Sequence, residues 1–347
     1  MLRSCHKENS RCKRKRTFPL GVIDLHRHLD GAFRPESLYK EAKRRNLPQA
    51  KFSEQEFIQH CQVSPTCHTL TEFLNVFHFF YDIAQNLDFL AKASYEVVED
   101  CKKDGLIYAE LRFAPHLFIS NTITVENVLD TVLEAIRKAS IENQIPIRVI
   151  ACVMRGSPVS YVDELVKLFP QYHSEGLVGL DLAGDESKYP GDEYATAFEK
   201  AAAEQIPITI HAGEAAGAES VWLAIDKLKA KRIGHGIHSI SDHKLLSVLK
   251  EKNITLEICL TSNVQTGAVK SLADHPFPEF LRQNVPVTIN TDDPSVSGIT
   301  LSGELELAQK QFHLNKGDLQ ALQKQAVQAA FCEHSLKQDL LAILSAS

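Results

Sequence analysis

Four short stretches hold residues whose types and spacing could do chemistry together. His26 and His28 stand two apart in Asp24-Leu25-His26-Arg27-His28. In an extended strand, residues two apart share a face, so both imidazoles can converge on one ion while Arg27 points away. His211 and Glu214 lie three apart, in His211-Ala212-Gly213-Glu214. Before them runs Pro207-Ile208-Thr209-Ile210, which reads as a short buried strand. After them Val221, Leu223, Ala224 and Leu228 recur at helical spacing. His235 stands between Gly234 and Gly236, and Asp292-Asp293 between Thr291 and Pro294.

Imidazole nitrogens with one carboxylate oxygen suit Zn²⁺ with a position left open for water. No thiolate stands at these positions, which points to a catalytic rather than a structural site. Such an ion lowers the pKa of bound water toward about 7. His235 and Glu214 could then orient the water and carry protons. One His-x-His pair arises easily by chance, and Asp292-Asp293 before Pro294 could by themselves cap a turn. What gives them meaning together is that each falls at the end of a strand-like run.

Eight such runs can be read, at 21–25, 106–113, 147–153, 177–182, 207–210, 232–236, 254–260 and 286–290. The sixth is short and holds two Gly, so its placement rests on the alternation around it. Amphipathic stretches of helical period separate most of them, for example 125–140, 193–205 and 241–253. Strand and helix alternating eight times predicts an α/β fold, a (β/α)₈ TIM barrel, whose site gathers at the C-terminal ends of the strands. About eighty residues separate the first two runs, too many for a loop. They predict a helical insertion over about 35–104. Pro35 suits a first helical position, and Ser53 with Glu56 and Thr69 with Glu72 fit capping boxes. Phe73, Phe77 and Phe80 line one side of the helix opened by Thr69. They read as packing against the barrel or as an apolar lid over a planar substrate. Residues 302–345 predict additional C-terminal helices that close the barrel. The domain reading is a basic, disordered tail over 1–17 and one catalytic barrel over 18–347.

Composition sets bounds. A formal net charge of -6 argues against a nucleic-acid binder. The eight Cys are scattered without a CxxC pair, which suggests a reducing compartment. No apolar run approaches the ~20 residues of a membrane span. The first sixteen residues are dense in Lys and Arg but lead into no apolar signal region. The expectation is a cytoplasmic protein, bound neither to membrane nor to nucleic acid, with the oligomeric state left open.

Five motifs in this order carry a resemblance. His26-Arg27-His28-Leu29-Asp30-Gly31, His211 to Glu214, Gly234-His235-Gly236, Thr261-Ser262-Asn263 and Thr291-Asp292-Asp293-Pro294 together resemble the adenosine deaminase family of the metal-dependent amidohydrolases. The likeness runs from about residue 19 to about 345. It implies His26, His28, His211 and Asp292 as ligands of one Zn²⁺ per chain. It implies Glu214 as the acid that protonates purine N1 and His235 as the residue that orients and helps deprotonate the attacking water. Asp293 would meet N7, the Gly184 amide N3, and Asp30 a ribose hydroxyl. The implied reaction is hydrolytic deamination of adenosine, and of 2′-deoxyadenosine, to inosine and ammonia in purine salvage, with metal-bound hydroxide attacking C6. Asp30 and Thr261-Ser262-Asn263 are similar to the adenosine branch rather than to adenine deaminases, which tend to carry Glu at the position of Asp30. Leu260 departs from the family, where Pro often follows the Cys. An adenine or other aminopurine deaminase on the same scaffold is the alternative. A non-catalytic zinc- or nucleoside-binding barrel is a third reading, against which the complete residue set argues.

Overall fold

The strands form where apolar, often β-branched residues run together: β1 (Val22–His28), β2 (Leu106–Phe113), β3 (Ile147–Met154), β4 (Leu177–Ala183), β5 (Thr209–Ala212), β6 (Arg232–His235), β7 (Thr255–Ile258) and β8 (Val287–Ile289). Nearly every residue in them is buried, as expected of parallel strands covered on both faces. The computed structural model describes residues 21–346. The expected tail over 1–17, with Cys5 and Cys12, lies outside the described residues.

Pairing is parallel throughout, in the orders β1-β2-β3-β4 and β5-β6-β7-β8. Two parallel bridges, Leu180↔Ile208 and Arg27↔Asp292, join the two halves. The His28 amide donates to the Asp292 carbonyl at 2.8 Å, and the Asp292 amide to the His26 carbonyl at 2.8 Å. The result is the closed (β/α)₈ barrel that the alternation predicts. The boundaries differ at the ends that matter. β1 continues to His28 and β5 to Ala212, so His26, His28 and His211 lie within strands rather than after them. The ladder carries them there: His28 pairs with Arg112 and His211 with Gly234.

Between β1 and β2 lie helices Pro35–Arg44, Glu54–His60, Leu70–Asn75, Tyr81–Ala84 and Leu87–Asp104. Pro35 opens the first. Ser53 and Glu56 make the reciprocal capping box. The second expected box is half formed. Thr69 accepts from the Glu72 amide, but the Glu72 carboxylate reaches the His68 amide instead of that of Thr69. After β8 come Leu301–Phe312, Lys316–Ala329 and His334–Ser345. The last two cover β1: Ile23 and Leu25 pack with Val327, Leu340 and Leu344, and the Ile23 amide donates to Gln323 Oε1 at 2.8 Å. Alternation along β1 then turns His26 and His28 toward the barrel interior, while Arg27 points out toward Asp104.

Candidate active site

Three imidazoles meet one carboxylate at the C-terminal rim. His26 Nε2 lies 3.2 Å from Asp292 Oδ1, and His28 Nε2 lies 3.3 Å from the same oxygen. His28 Nε2 is also 3.1 Å from His211 Nε2. By distance alone His235 joins them: one atom each of His26, His211, His235 and Asp292 fall within 4.8 Å of one another. His28 forms a second such group with Asp292 and Asp293.

The far side of the rings shows what the near side can do. His26 Nδ1 lies 2.8 Å from Glu257 Oε2, and His211 Nδ1 lies 3.0 Å from Asp181 Oδ2. A carboxylate accepts, so each Nδ1 carries the proton and each Nε2 presents a lone pair to the centre. His26 Nε2 is buried with no hydrogen-bond partner, a cost that a cation there would remove. Arg112 lies beneath, donating to Asp181 Oδ2 at 3.0 Å and to Glu257 Oε2 at 2.8 Å. A divalent metal fits this donor set.

Two of these residues are held in unusual backbone. His235 (φ +63°) and Asp292 (φ +64°), at the ends of β6 and β8, adopt the left-handed region. That costs of order 1 kcal/mol for a non-glycine residue and is typical of functional sites. The His28–Asp292 ladder holds the second. Burial pushes the Asp292 carboxyl up, but the His26 bond and the neighbouring imidazoles outweigh it and hold it well below the usual range.

Glu214 sits on the turn after β5. Gly213 adopts φ +67°, and a Cβ there would stand 2.6 Å from Val221 Cγ2, so glycine is required on both counts. Gly217 is different: its backbone is extended and it precedes helix Ala218–Asp226. One buried carboxylate from the β4 loop organises the turn. Glu186 accepts from the amides of Gly213 (3.0 Å), Glu214 (2.6 Å), Ala215 (2.6 Å) and Ala216 (3.0 Å), and from the Ser220 hydroxyl. The Thr266 hydroxyl donates to Glu214 Oε1 at 2.9 Å, and Oε2 lies 3.5 Å from His235 Nε2. Burial first, then the Asp292 charge, push the Glu214 carboxyl well above its ordinary value.

These groups line a cavity of about 460 Å³, within the range of small-molecule pockets. Its walls include Asp30, Gly184, Asp293 and the apolar side chains Leu70, Phe73, Leu74 and Phe77. Of the Phe stripe, Phe73, Phe77 and Phe80 all pack in the core, and Phe73 and Phe77 also line the cavity. Asp30 Oδ2 accepts from Tyr81 at 2.9 Å, and burial pushes its carboxyl up to about 6. Asp293 Oδ1 is buried without a partner. Burial, with Asp292, Asp30 and Glu214 nearby, pushes it well above the carboxylate range. Gly31 makes room for it, since a Cβ at 31 would stand 1.7 Å from Asp293 Oδ1.

Comparison with known proteins decides the family. The profile of the adenosine deaminase family matches residues 22–346. The chain belongs to the adenosine deaminase family. As a member it is a deaminating hydrolase. It is 39% identical to an adenosine deaminase of Photorhabdus laumondii over 92% of this chain and 96% of that one. It is 37% identical to one from Clostridium botulinum, over 92% and 96%. Among solved structures, an Arabidopsis N6-mAMP deaminase is 27% identical with a TM-score of 0.85, covering 94% of this chain and 98% of that one. Adenine deaminase from Arthrobacter aurescens, 24% identical, shares the fold with a TM-score of 0.85 over 94% and 98%.

The deaminase scaffold brings all nine expected site residues to one rim, in or beside the cavity. Several buried partners escaped the sequence reading. Asp181, Glu257 and Arg112 each interrupt an apolar strand with a charge, and that interruption was the available signal. Glu186 stands in the loop two residues after Gly184 and leaves no such mark.

Proposed function

We propose that the chain deaminates adenosine and 2′-deoxyadenosine hydrolytically to inosine and ammonia, with one Zn²⁺ per chain held by His26, His28, His211 and Asp292. The observation that carries this is the pair of carboxylate-locked imidazoles, His26 and His211, turning their lone pairs to one centre beside Asp292, next to Glu214, whose carboxyl burial pushes well above its ordinary value. When bound, the ion supplies the Lewis acidity that makes water nucleophilic at neutral pH.

The chain's own groups do the rest. Glu214 donates a proton to purine N1, which makes C6 electrophilic. Because Thr266 donates to Oε1, the proton rests on Oε2. Asp293, protonated and unpartnered, donates to N7. The Gly184 amide meets N3, Asp30 takes a ribose hydroxyl, and His235 orients the water. Phe73, Phe77 and Leu74 cover the base and exclude solvent, which strengthens each polar contact.

The lining favours a nucleoside over a nucleotide. Asp30, Asp185, Glu214, Asp292 and Asp293 face the cavity. Arg155, a cation on the same wall, is engaged by the His211 carbonyl at 2.7 Å and the Tyr189 carbonyl at 3.0 Å. With Arg155 so engaged, a 5′-phosphate finds no free Lys or Arg among the residues that line the cavity. Among the described residues no helix is long and apolar enough to cross a membrane. We place the activity in cytoplasmic purine salvage, on a single barrel domain over 18–347.

The test pairs metal analysis with an ultraviolet assay against adenosine, 2′-deoxyadenosine, adenine and AMP. One zinc per chain and turnover of the two nucleosides are expected. Glu214→Gln should keep the metal and lose several orders of magnitude in rate. Turnover of adenine with adenosine ignored would overturn the reading.

A further inference from the structure

His235 belongs by distance to the metal cluster, yet its other nitrogen says otherwise. The Phe277 backbone N–H donates to His275 Nδ1 at 3.0 Å. That nitrogen is therefore an acceptor, and His275, a neutral imidazole, carries its proton on Nε2. His275 Nε2 faces Asn263 Oδ1 at 3.4 Å, and the amide oxygen accepts. The amide is thereby oriented with its NH₂ toward His235, where Nδ2 lies 3.0 Å from His235 Nδ1. An amide NH₂ can only donate, so His235 Nδ1 is an acceptor. The ring's proton must then be on Nε2, the nitrogen that faces Glu214 and Asp292.

We propose that His275 and Asn263 are positioning residues that fix His235 as the Nε2–H tautomer, opposite to that of His26 and His211. His235 then presents a donor to the site. It is not a metal ligand, because the nitrogen that faces the cluster has no free lone pair. It cannot take the first proton from the attacking water; that proton is released to solvent. It donates a hydrogen bond to the oxygen that attacks C6, orienting it and stabilising the charge that develops there. All three residues are buried, which keeps water from supplying a competing donor or acceptor: Asn263 is 0% exposed, His235 1% and His275 4%. The orientation is assembled from β6, the short helix Leu260–Gln265 after β7 and the segment entering helix Phe277–Arg282. This assignment rests on the deaminase reading above and revises the share of His235 in it.

The test compares the zinc-loaded wild type with Asn263→Asp and Asn263→Ser. Aspartate is isosteric with asparagine but can only accept, so it moves the ring proton to Nδ1 and turns a lone pair toward the site. Serine keeps a hydroxyl that can donate. Imidazole ¹⁵N spectra of histidine-labelled enzyme, with the His235 signals assigned by their loss in His235→Gln, read the tautomer directly. The wild type should show Nε2–H and Asn263→Asp should show Nδ1–H. With zinc content unchanged, Asn263→Asp should lose about 10²–10³-fold in kcat, the range for removal of one such donor, with KM within about threefold. Asn263→Ser should recover part of that loss. An Nδ1–H signal in the wild type sinks the proposal, as does an Asn263→Asp enzyme as fast as the wild type, which is what a general-base His235 would give. Failure of the wild type to deaminate adenosine at all would instead remove the proposed function, leaving the ¹⁵N result to stand by itself.

Discussion

Glu186→Gln probes how one carboxylate holds the catalytic turn. In the native turn Oε1 accepts three amides, those of Glu214, Ala215 and Ala216, and Oε2 accepts the Gly213 amide and the Ser220 hydroxyl. Glutamine keeps one oxygen for the first group. Its NH₂ must then face the Gly213 N–H, donor against donor, while Ser220 can rotate to accept. An unpaired buried N–H costs about 1–3 kcal/mol. The three remaining bonds lose their charge assistance, about 1 kcal/mol each. Because these bonds share one acceptor they do not add fully, so a loss of about 3–5 kcal/mol is expected. Relief of the donor clash would shift the turn, and a displacement of Glu214 near 1 Å costs on the order of 10²-fold in rate. Glu186 also adds to the negative field that keeps Glu214 protonated, after burial and Asp292. Its neutralisation lowers the Glu214 pKa, so the alkaline fall in activity should move to lower pH. Urea midpoints and kcat across pH, on enzyme of matched zinc content, measure both. A variant within about 1 kcal/mol and threefold of wild type, with an unmoved alkaline limb, would refute the assignment of the turn to Glu186.

Three further outcomes follow from the geometry. Gly31→Ala places a Cβ on Asp293 Oδ1 and must push that carboxyl into the cavity; kcat/KM should fall at least tenfold with the far-ultraviolet circular dichroism unchanged, and unaltered kinetics would contradict the contact. Arg112→Met takes the buried guanidinium from Asp181 and from Oε2 of Glu257, whose Oε1 keeps Arg232, so it should destabilise by about 3–5 kcal/mol and weaken metal affinity about 10–100-fold, read by urea titration and by competition with a chelator. Burial pushes the Glu304 carboxyl, bonded to Thr261, from 4.5 up to about 7. Its contribution to stability is therefore complete below about pH 4.5 and lost as pH rises through 7, about 3 kcal/mol at 1.36 kcal/mol per unit; Glu304→Gln should flatten that slope between pH 5 and 8, and identical slopes would speak against it.

Much of the barrel was legible because its signals are local. Apolar runs separated by amphipathic helices set the eight strands, and β2 falls where the run 106–113 predicts it. Period two put His26 and His28 on one face, and the helical spacing after Glu214 placed the end of β5 just before it. Strand ends in a parallel barrel share a rim, so the candidate ligands could be grouped without coordinates. The partners of those residues could not. Glu257 meets His26 across 231 positions and Asn263 meets His235 across 28, and neither separation corresponds to any repeat of helix or strand. Which nitrogen of each histidine bears the proton is decided by those contacts, because an imidazole is symmetric in its chemistry until a neighbour accepts from one side or donates to the other. The residue types at the rim were therefore set by the sequence, while their protonation, and with it the division between metal ligand and hydrogen-bond donor, was decided only by the tertiary structure.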